Sequence, residues 1–313
     1  MSFSEIPIVD ISGWFAGGAE AREVARRVNR TCADVGFLYL AGHAIPDRVT
    51  QGVFSAAERF FSLPTCRKME LDFALTGRHR GYVPPAAEAT DPTTEGDCKE
   101  AFNMGLVIDP GTAPPAIAAH MGAPNLWPVD LPGFREQVTE YFDAVLKLSH
   151  VIFDIFAVGL GLSPGQFAED LKRPIAHMRL LRYPPKTAES PGIGIGAHCD
   201  YEMLTILAQD GVGGLEVRNE DGEWIPAPPV PGTFVVNIGE LLARWTNGIY
   251  TATPHRVINT AGTDRYSVPF FFASGYQSVI TPLDTCVSAE RPARFTPVNA
   301  GSYLLQRLHE NYG

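Results

Sequence analysis

The chain has 313 residues, 45% of them hydrophobic and 19% charged, with 35 acidic against 25 basic side chains. That composition is ordinary for a folded globular protein and excludes intrinsic disorder and fibrous repeats. A formal charge of -10 without any basic run repels phosphate backbones and anionic lipid heads, so neither nucleic acid nor membrane is an expected partner.

Five cysteines, Cys32, Cys66, Cys98, Cys199 and Cys286, are odd in number, widely spaced and never in a CxxC pair. The pattern argues against a disulfide framework or a structural zinc site and predicts a reducing, cytoplasmic location. The opening MSFSEIPIVDISGWF lacks the charged start and apolar run of a signal peptide. The greasiest helix-like stretch, Val151 to Leu162, is interrupted by Asp154 and is too short to span a bilayer.

In chain order, IPIVDI at 6–11 reads as a short strand. Apolar or small residues at Ala21, Val24, Ala25, Val28, Cys32 and Val35 have the three-and-four spacing of one buried helical face, and GFLYL at 36–40 reads as the next strand. Asp47 is placed to cap a second helix carrying Val49, Val53, Phe54, Ala57 and Phe61, which Pro64 stops. Residues 77–98, rich in Gly, Pro, Thr and Glu, predict a long surface loop of the kind that forms lids. The proline-rich stretch 109–128 predicts a linker, because its prolines suit neither helix interior nor central strand. A long amphipathic helix is expected from about Gly133 to Leu162. After it come short runs rich in β-branched and aromatic residues, MRLLRY, LTILA, GLEVR, GTFVVNI, TPHRVINT and YSVPFFFA, separated by turn signals. That spacing predicts an antiparallel sandwich or barrel from about 175 to 280, followed by a closing helix from Gly301 to His309.

The chemistry concentrates in AHCDYEMLTIL at 197–207. His198 and Asp200 are two residues apart in an extended-looking segment, so both side chains share one face while Cys199 points away. His255 in TATPHRVIN is the best candidate for a third donor from the same β region. Two histidines and one carboxylate form the facial triad that suits non-haem Fe(II) and leaves coordination positions open. Alternation also puts Arg265 and Ser267 on one face, and a buried guanidinium beside a hydroxyl is a good carboxylate receptor. The GIGIG run at 192–196 leads into a strand, not a helix, so it lacks phosphate-cradling geometry.

The ordered set of HxD at 198–200, WTNGIYTATPHRV at 245–257 and RYS at 265–267 resembles the isopenicillin N synthase-like branch of the Fe(II)/2-oxoglutarate-dependent oxygenases. The likeness extends to IPIVDI at 6–11, DVGFLYLAGHAIP at 34–46, RGYVPP at 80–85, NLWP at 125–128 and RLLRYPP at 179–185. It implies a mixed α+β fold with a double-stranded β-helix, or jelly-roll, core flanked by helices. The implied layout is a single oxygenase domain over 1–313, with an N-terminal α/β part and lid loop at 1–130, a scaffold helix at 131–165 and the metal-bearing core at 175–280. His198, Asp200 and His255 match the metal ligands. Arg265 and Ser267 match the pair that grips the distal carboxylate of 2-oxoglutarate, and Tyr183 falls where the family often has a supporting tyrosine. The family's frequent Asn two residues before that tyrosine is Leu181 here, and the Asp of its GD pair is Glu240.

The resemblance further implies Fe(II) as cofactor, with 2-oxoglutarate filling two of its open positions and dioxygen the third. A small-molecule substrate would be oxidised, by default hydroxylated, with release of succinate and CO2. Candidate substrate residues are Tyr82 and Glu88 on the long loop, Arg179, Tyr201 and Phe272, and the opposite charges of Arg179 and Glu88 suit an amphoteric molecule such as an amino acid. Alternatives are an oxidase of the same fold that does not use 2-oxoglutarate, a zinc hydrolase on the same three residues, and a catalytically silent binding protein.

Overall fold

The computed structural model describes residues 2–75, 79–88, 97–107, 124–185, 193–258 and 262–312. It begins with strand β1 (Ile8–Asp10), helices α1 (Ser12–Ala16) and α2 (Gly18–Asp34), strand β2 (Phe37–Ala41), and helices α3 (Asp47–Phe61) and α4 (Thr65–Met69). The expected face of α2 is realised, with Val24, Ala25, Val28 and Cys32 buried. Asp47 is the first helical residue of α3 after Pro46 and makes no capping hydrogen bond, so its contribution there is a negative charge in the first turn.

The segment expected to be a surface loop contains strand β3 (Gly81–Val83), wholly buried and paired with β4 (Glu100–Gly105). Most of the proline-rich linker lies outside the described residues. Asn125 at its end brackets the backbone N–H and C=O of Gly105, each at 2.9 Å. Helix α5 (Phe134–Gly159) follows, and α2 and α3 pack on it.

Strands β5 (Ile175–Tyr183), β6 (Ile193–His198), β7 (Leu204–Gln209), β8 (Leu215–Arg218), β9 (Trp224–Pro226) and β10 (Phe234–Ile238) lead to the short helix α6 (Glu240–Trp245). Strands β11 (His255–Ile258), β12 (Arg265–Ala273), β13 (Val279–Ile280) and β14 (Val298–Asn299) precede helix α7 (Ala300–Tyr312). An eight-stranded sheet runs β1-β2-β10-β7-β12-β5-β4-β3, antiparallel except for the β1–β2 pair, and a four-stranded sheet runs β6-β11-β8-β9. The two sheets form the jelly-roll. The N-terminal strands extend the large sheet at both of its edges.

The central strands turn an apolar face toward α5 and a mixed apolar and polar face toward the small sheet, because period-two alternation divides their side chains between two layers. Met178 and Leu180 of β5, Leu204 and Ile206 of β7, Phe234 and Val236 of β10, and Val268, Phe270 and Phe272 of β12 join the cluster that packs under α5. Leu181, Tyr183 and Val235 turn the other way and meet Leu215, Val217 and Val257 of the small sheet. The functional cavity opens inside that second layer.

Candidate active site

His198 closes β6 and His255 opens β11, and the strand register sets them directly opposite each other. Each imidazole is fixed by its Nδ1, which contacts the carbonyl of Gly196 at 2.8 Å for His198 and of Thr253 at 3.2 Å for His255. A ring N–H donating there leaves Nε2 as the free lone pair. The edge-on ring of Phe37, 5.2 Å away between centroids, further confines His255.

Asp200 follows just after the end of β6, in a turn held from behind. The Glu240 N–H donates to the Asp200 carbonyl at 2.8 Å, and the Gly239 N–H to that of Met203 at 3.0 Å. Gly239 approaches so closely that a β-carbon there would lie 2.0 Å from the Glu202 carbonyl oxygen. One carboxylate oxygen of Asp200, Oδ2, accepts from Thr205 Oγ1 at 2.5 Å and from Asn237 Nδ2 at 2.7 Å. The other, Oδ1, lies 3.6 Å from His198 Nε2 and 3.7 Å from His255 Nε2. The three donor atoms, all within 4.8 Å of one another, are a set that can hold one metal ion.

The local electrostatics keep this set ready to ligate. Burial, reinforced by the neighbouring His255, pushes the His198 imidazole down to about 4, so its nitrogen is unprotonated near neutral pH. Burial alone would raise the Asp200 carboxyl. The two imidazoles and the hydrogen bonds from Asn237 and Thr205 outweigh it and hold the group below its ordinary value.

Further along the same cavity, of about 150 Å³, lies Arg265 with no solvent exposure at all. Its Nη1 contacts Ser267 Oγ at 3.3 Å and its Nη2 contacts Gln209 Oε1 at 3.2 Å, while the guanidinium carbon sits 4.7 Å over the Tyr183 ring. Its Nε has no hydrogen-bond partner, and no carboxylate pairs with it among the described residues. A fully buried cation without a counter-charge is costly, and a bound dicarboxylate removes that cost. The residues therefore fit both an Fe(II) ion and 2-oxoglutarate.

Comparison with known proteins agrees. Residues 174–274 match the 2OG-Fe(II) oxygenase superfamily, and residues 6–130 match the family described as non-haem dioxygenase in morphine synthesis, N-terminal. The chain is 34% identical to a 2-oxoglutarate-Fe(II) type oxidoreductase, hxnY, of Emericella nidulans, covering 98% of this chain and 90% of that one. The chain belongs to the Fe(II)/2-oxoglutarate-dependent oxygenases. A homoarginine-6-hydroxylase of Glycine max is 35% identical, over 90% of this chain and 89% of its own. The crystal structure of a full-length Neurospora crassa protein in complex with alpha-KG and 5-formyluracil superposes with a TM-score of 0.86 at 31% identity, covering 98% of this chain and 96% of that one. This oxygenase is thus a 2-oxoglutarate-dependent dioxygenase of the isopenicillin N synthase-like branch, with Fe(II) and 2-oxoglutarate as its cofactor and cosubstrate.

The remaining residues singled out from sequence divide. Tyr201, Glu88 and Arg179 line the oxygenase's cavity. Arg179 and Glu88 are paired with each other at 2.6 Å, and Lys99 adds a contact to Glu88 at 3.3 Å and another to Asp97 at 2.5 Å. Burial would raise the Glu88 carboxyl, but Arg179 and Lys99 hold it at about 2. These opposite charges pair with one another at the wall of the cavity. Tyr82 lies outside the cavity, with its ring buried near Phe60 and its hydroxyl on Glu100 Oε2 at 2.7 Å. Phe272 also lies outside it, packed on Phe153 under α5, and Phe271 takes the inward position.

Four contributors escape the sequence reading: Thr205, Asn237, Gln209 and Phe271. A signal for the first two is present, since each is a polar residue in an otherwise apolar central strand, LTILA and FVVNI.

Proposed function

We propose that His198, Asp200 and His255 hold the Fe(II) of this oxygenase, and that Arg265, with Ser267 and Gln209 beside it and the Tyr183 ring beneath it, grips the distal carboxylate of 2-oxoglutarate. The reaction is the hydroxylation of a small molecule with release of succinate and CO2. The observation that carries this reading is the fully buried, uncompensated Arg265 in the same cavity as a buried two-histidine, one-carboxylate set.

Bound Fe(II) and 2-oxoglutarate supply the oxidising chemistry. The chain's own residues bind, orient and exclude water. Thr205 and Asn237 occupy one oxygen of Asp200 so that the other is presented to the metal, and the carbonyls of Gly196 and Thr253 fix the two imidazoles. Leu181, Leu207, Leu215 and Val257 line the cavity with apolar surface, which strengthens the Arg265 interaction by keeping the local dielectric low. The whole chain acts as one oxygenase domain, a reading supported by the N-terminal strands that complete both edges of the large sheet. All five cysteines are free thiols, which supports a reducing, cytoplasmic setting. No helix among the described residues is long and apolar enough to cross a membrane.

The test is 2-oxoglutarate turnover in the wild type and Arg265→Met. The variant should retain Fe(II) binding and need at least about 100-fold more 2-oxoglutarate, the order expected when one partner of a buried charge pair is lost. An unchanged requirement would contradict the assignment.

A further inference from the structure

The far end of the cavity carries a second built feature that the metal and the cosubstrate do not use. On β12 the inward positions run from Arg265 to Phe271, six residues apart, or about 20 Å at the rise of a strand. A five-carbon dicarboxylate gripped at Arg265 cannot extend that far. Phe271 pairs across the sheet with His177 on one side and Thr205 on the other, and Thr205 is the residue that holds Asp200. Phe271 and His177 therefore lie at the level of the metal-binding set, where a molecule to be oxidised must reach.

The His177 ring stacks on Phe271 at 4.7 Å and 19°, and its Nε2 meets Glu202 Oε1 at 2.8 Å. Glu202 is only 7% exposed, yet this imidazole is the one partner of its carboxylate among the described residues. A carboxylate accepts hydrogen bonds and cannot donate, so His177 Nε2 carries the shared hydrogen. Glu202 Oε2 has no partner among the described residues. Glu202 thus offers an acceptor oxygen in a wall that the aromatic side chains of Phe271 and Tyr201 also line.

We infer that His177 and Glu202, backed by Phe271, form the substrate-orienting wall of this oxygenase, and that its substrate is a flat nitrogenous molecule presenting N–H donors to that wall. The inference rests on the proposed placement of Fe(II) and 2-oxoglutarate. It differs from a charge-matching site, because the nearby Glu88, Asp97, Lys99 and Arg179 are ion-paired with one another.

The experiment uses the full chain with Fe(II) and 2-oxoglutarate and reads the succinate released in response to matched flat probes, uracil against 1,3-dimethyluracil and benzamide against N,N-dimethylbenzamide. The N–H members should stimulate release and the methylated members should not. In Glu202→Gln and, separately, His177→Gln, the probe concentration giving half-maximal stimulation should rise at least tenfold, while half-saturation by 2-oxoglutarate moves less than twofold. Equal stimulation by methylated probes, no stimulation by either N–H probe, or unchanged half-maximal concentrations in both variants overturns the inference. Absence of the visible charge-transfer band of the Fe(II) and 2-oxoglutarate complex would instead defeat the cosubstrate placement, and this inference with it.

Discussion

Substituting Thr205 by Val removes a hydroxyl and little else, since the two side chains have nearly the same shape. The hydroxyl donates at 2.5 Å to the Asp200 oxygen that faces away from the metal position, and Asn237, its partner across the strand pair, donates to the same oxygen at 2.7 Å. A hydrogen bond to a charged group contributes about 1.5–3 kcal/mol, and tenfold in affinity corresponds to about 1.4 kcal/mol. Losing one of the two donors lets the carboxylate rotate away from the geometry the metal needs. Thr205→Val should therefore weaken Fe(II) binding about 10- to 100-fold, the range typical of residues that support metal ligands. Asn237→Leu should do the same, and because the two share one acceptor their effects should not add in the double variant. Anaerobic calorimetric titration with Fe(II), or with Mn(II) as a stable substitute, reads the affinity, and thermal unfolding of the metal-free protein shows whether the fold survives. Wild-type affinity in both single variants would refute the claim that these donors aim Asp200.

The metal-free Arg265→Met variant should melt no lower than the wild type, because a buried cation without a counter-charge is exchanged for an apolar chain of similar length; a fall of several degrees would show that the guanidinium is already compensated. Glu88→Gln leaves Arg179 and Lys99 without their shared carboxylate and should cost about 3–5 kcal/mol by denaturant unfolding, whereas a loss below about 1 kcal/mol would mean the network is loosely held. Gly239→Ala should abolish metal binding while leaving a folded protein, because its β-carbon would meet the Glu202 carbonyl at 2.0 Å and displace the turn that carries Asp200; retained Fe(II) affinity would show that the turn can yield. The His198 imidazole, pushed down to about 4 in the folded state, takes up its proton more readily in the unfolded chain. Metal-free protein should accordingly lose stability as pH falls from about 6.5 toward 4, and His198→Gln should flatten that slope; an equal slope in the variant would assign it to other groups.

Strand-level features are readable because they depend on local pattern. The order of β-rich runs after the long helix is the observed one, and the HxD pair, the later His255 and the Arg265–Ser267 alternation come together in one cavity. Phe272 is a failure of parity: once Arg265 and Ser267 face inward, Phe271 must do so too, and that information lies in RYSVPFFFA itself. Tyr82 fails for a different reason. Its segment reads as a polar loop, and only pairing with β4, some twenty residues later, makes it a buried strand whose tyrosine reaches Glu100. The Arg179–Glu88 pair joins residues 91 apart, so charge type can nominate both without showing that each is the other's partner. Thr205 and Asn237 stand out as single polar residues in apolar strands, but their role is not readable because only the register puts them side by side against Asp200.

The most direct test of the account is anaerobic titration of the metal-free protein with Fe(II) and 2-oxoglutarate, following the visible metal-to-ligand charge-transfer band. A band should form in the wild type, fail in His255→Ala for want of bound iron, and in Arg265→Met form only at far higher 2-oxoglutarate concentration. Iron binding without any band in the wild type, or a band that survives His255→Ala, would contradict the placement of metal and cosubstrate on these residues.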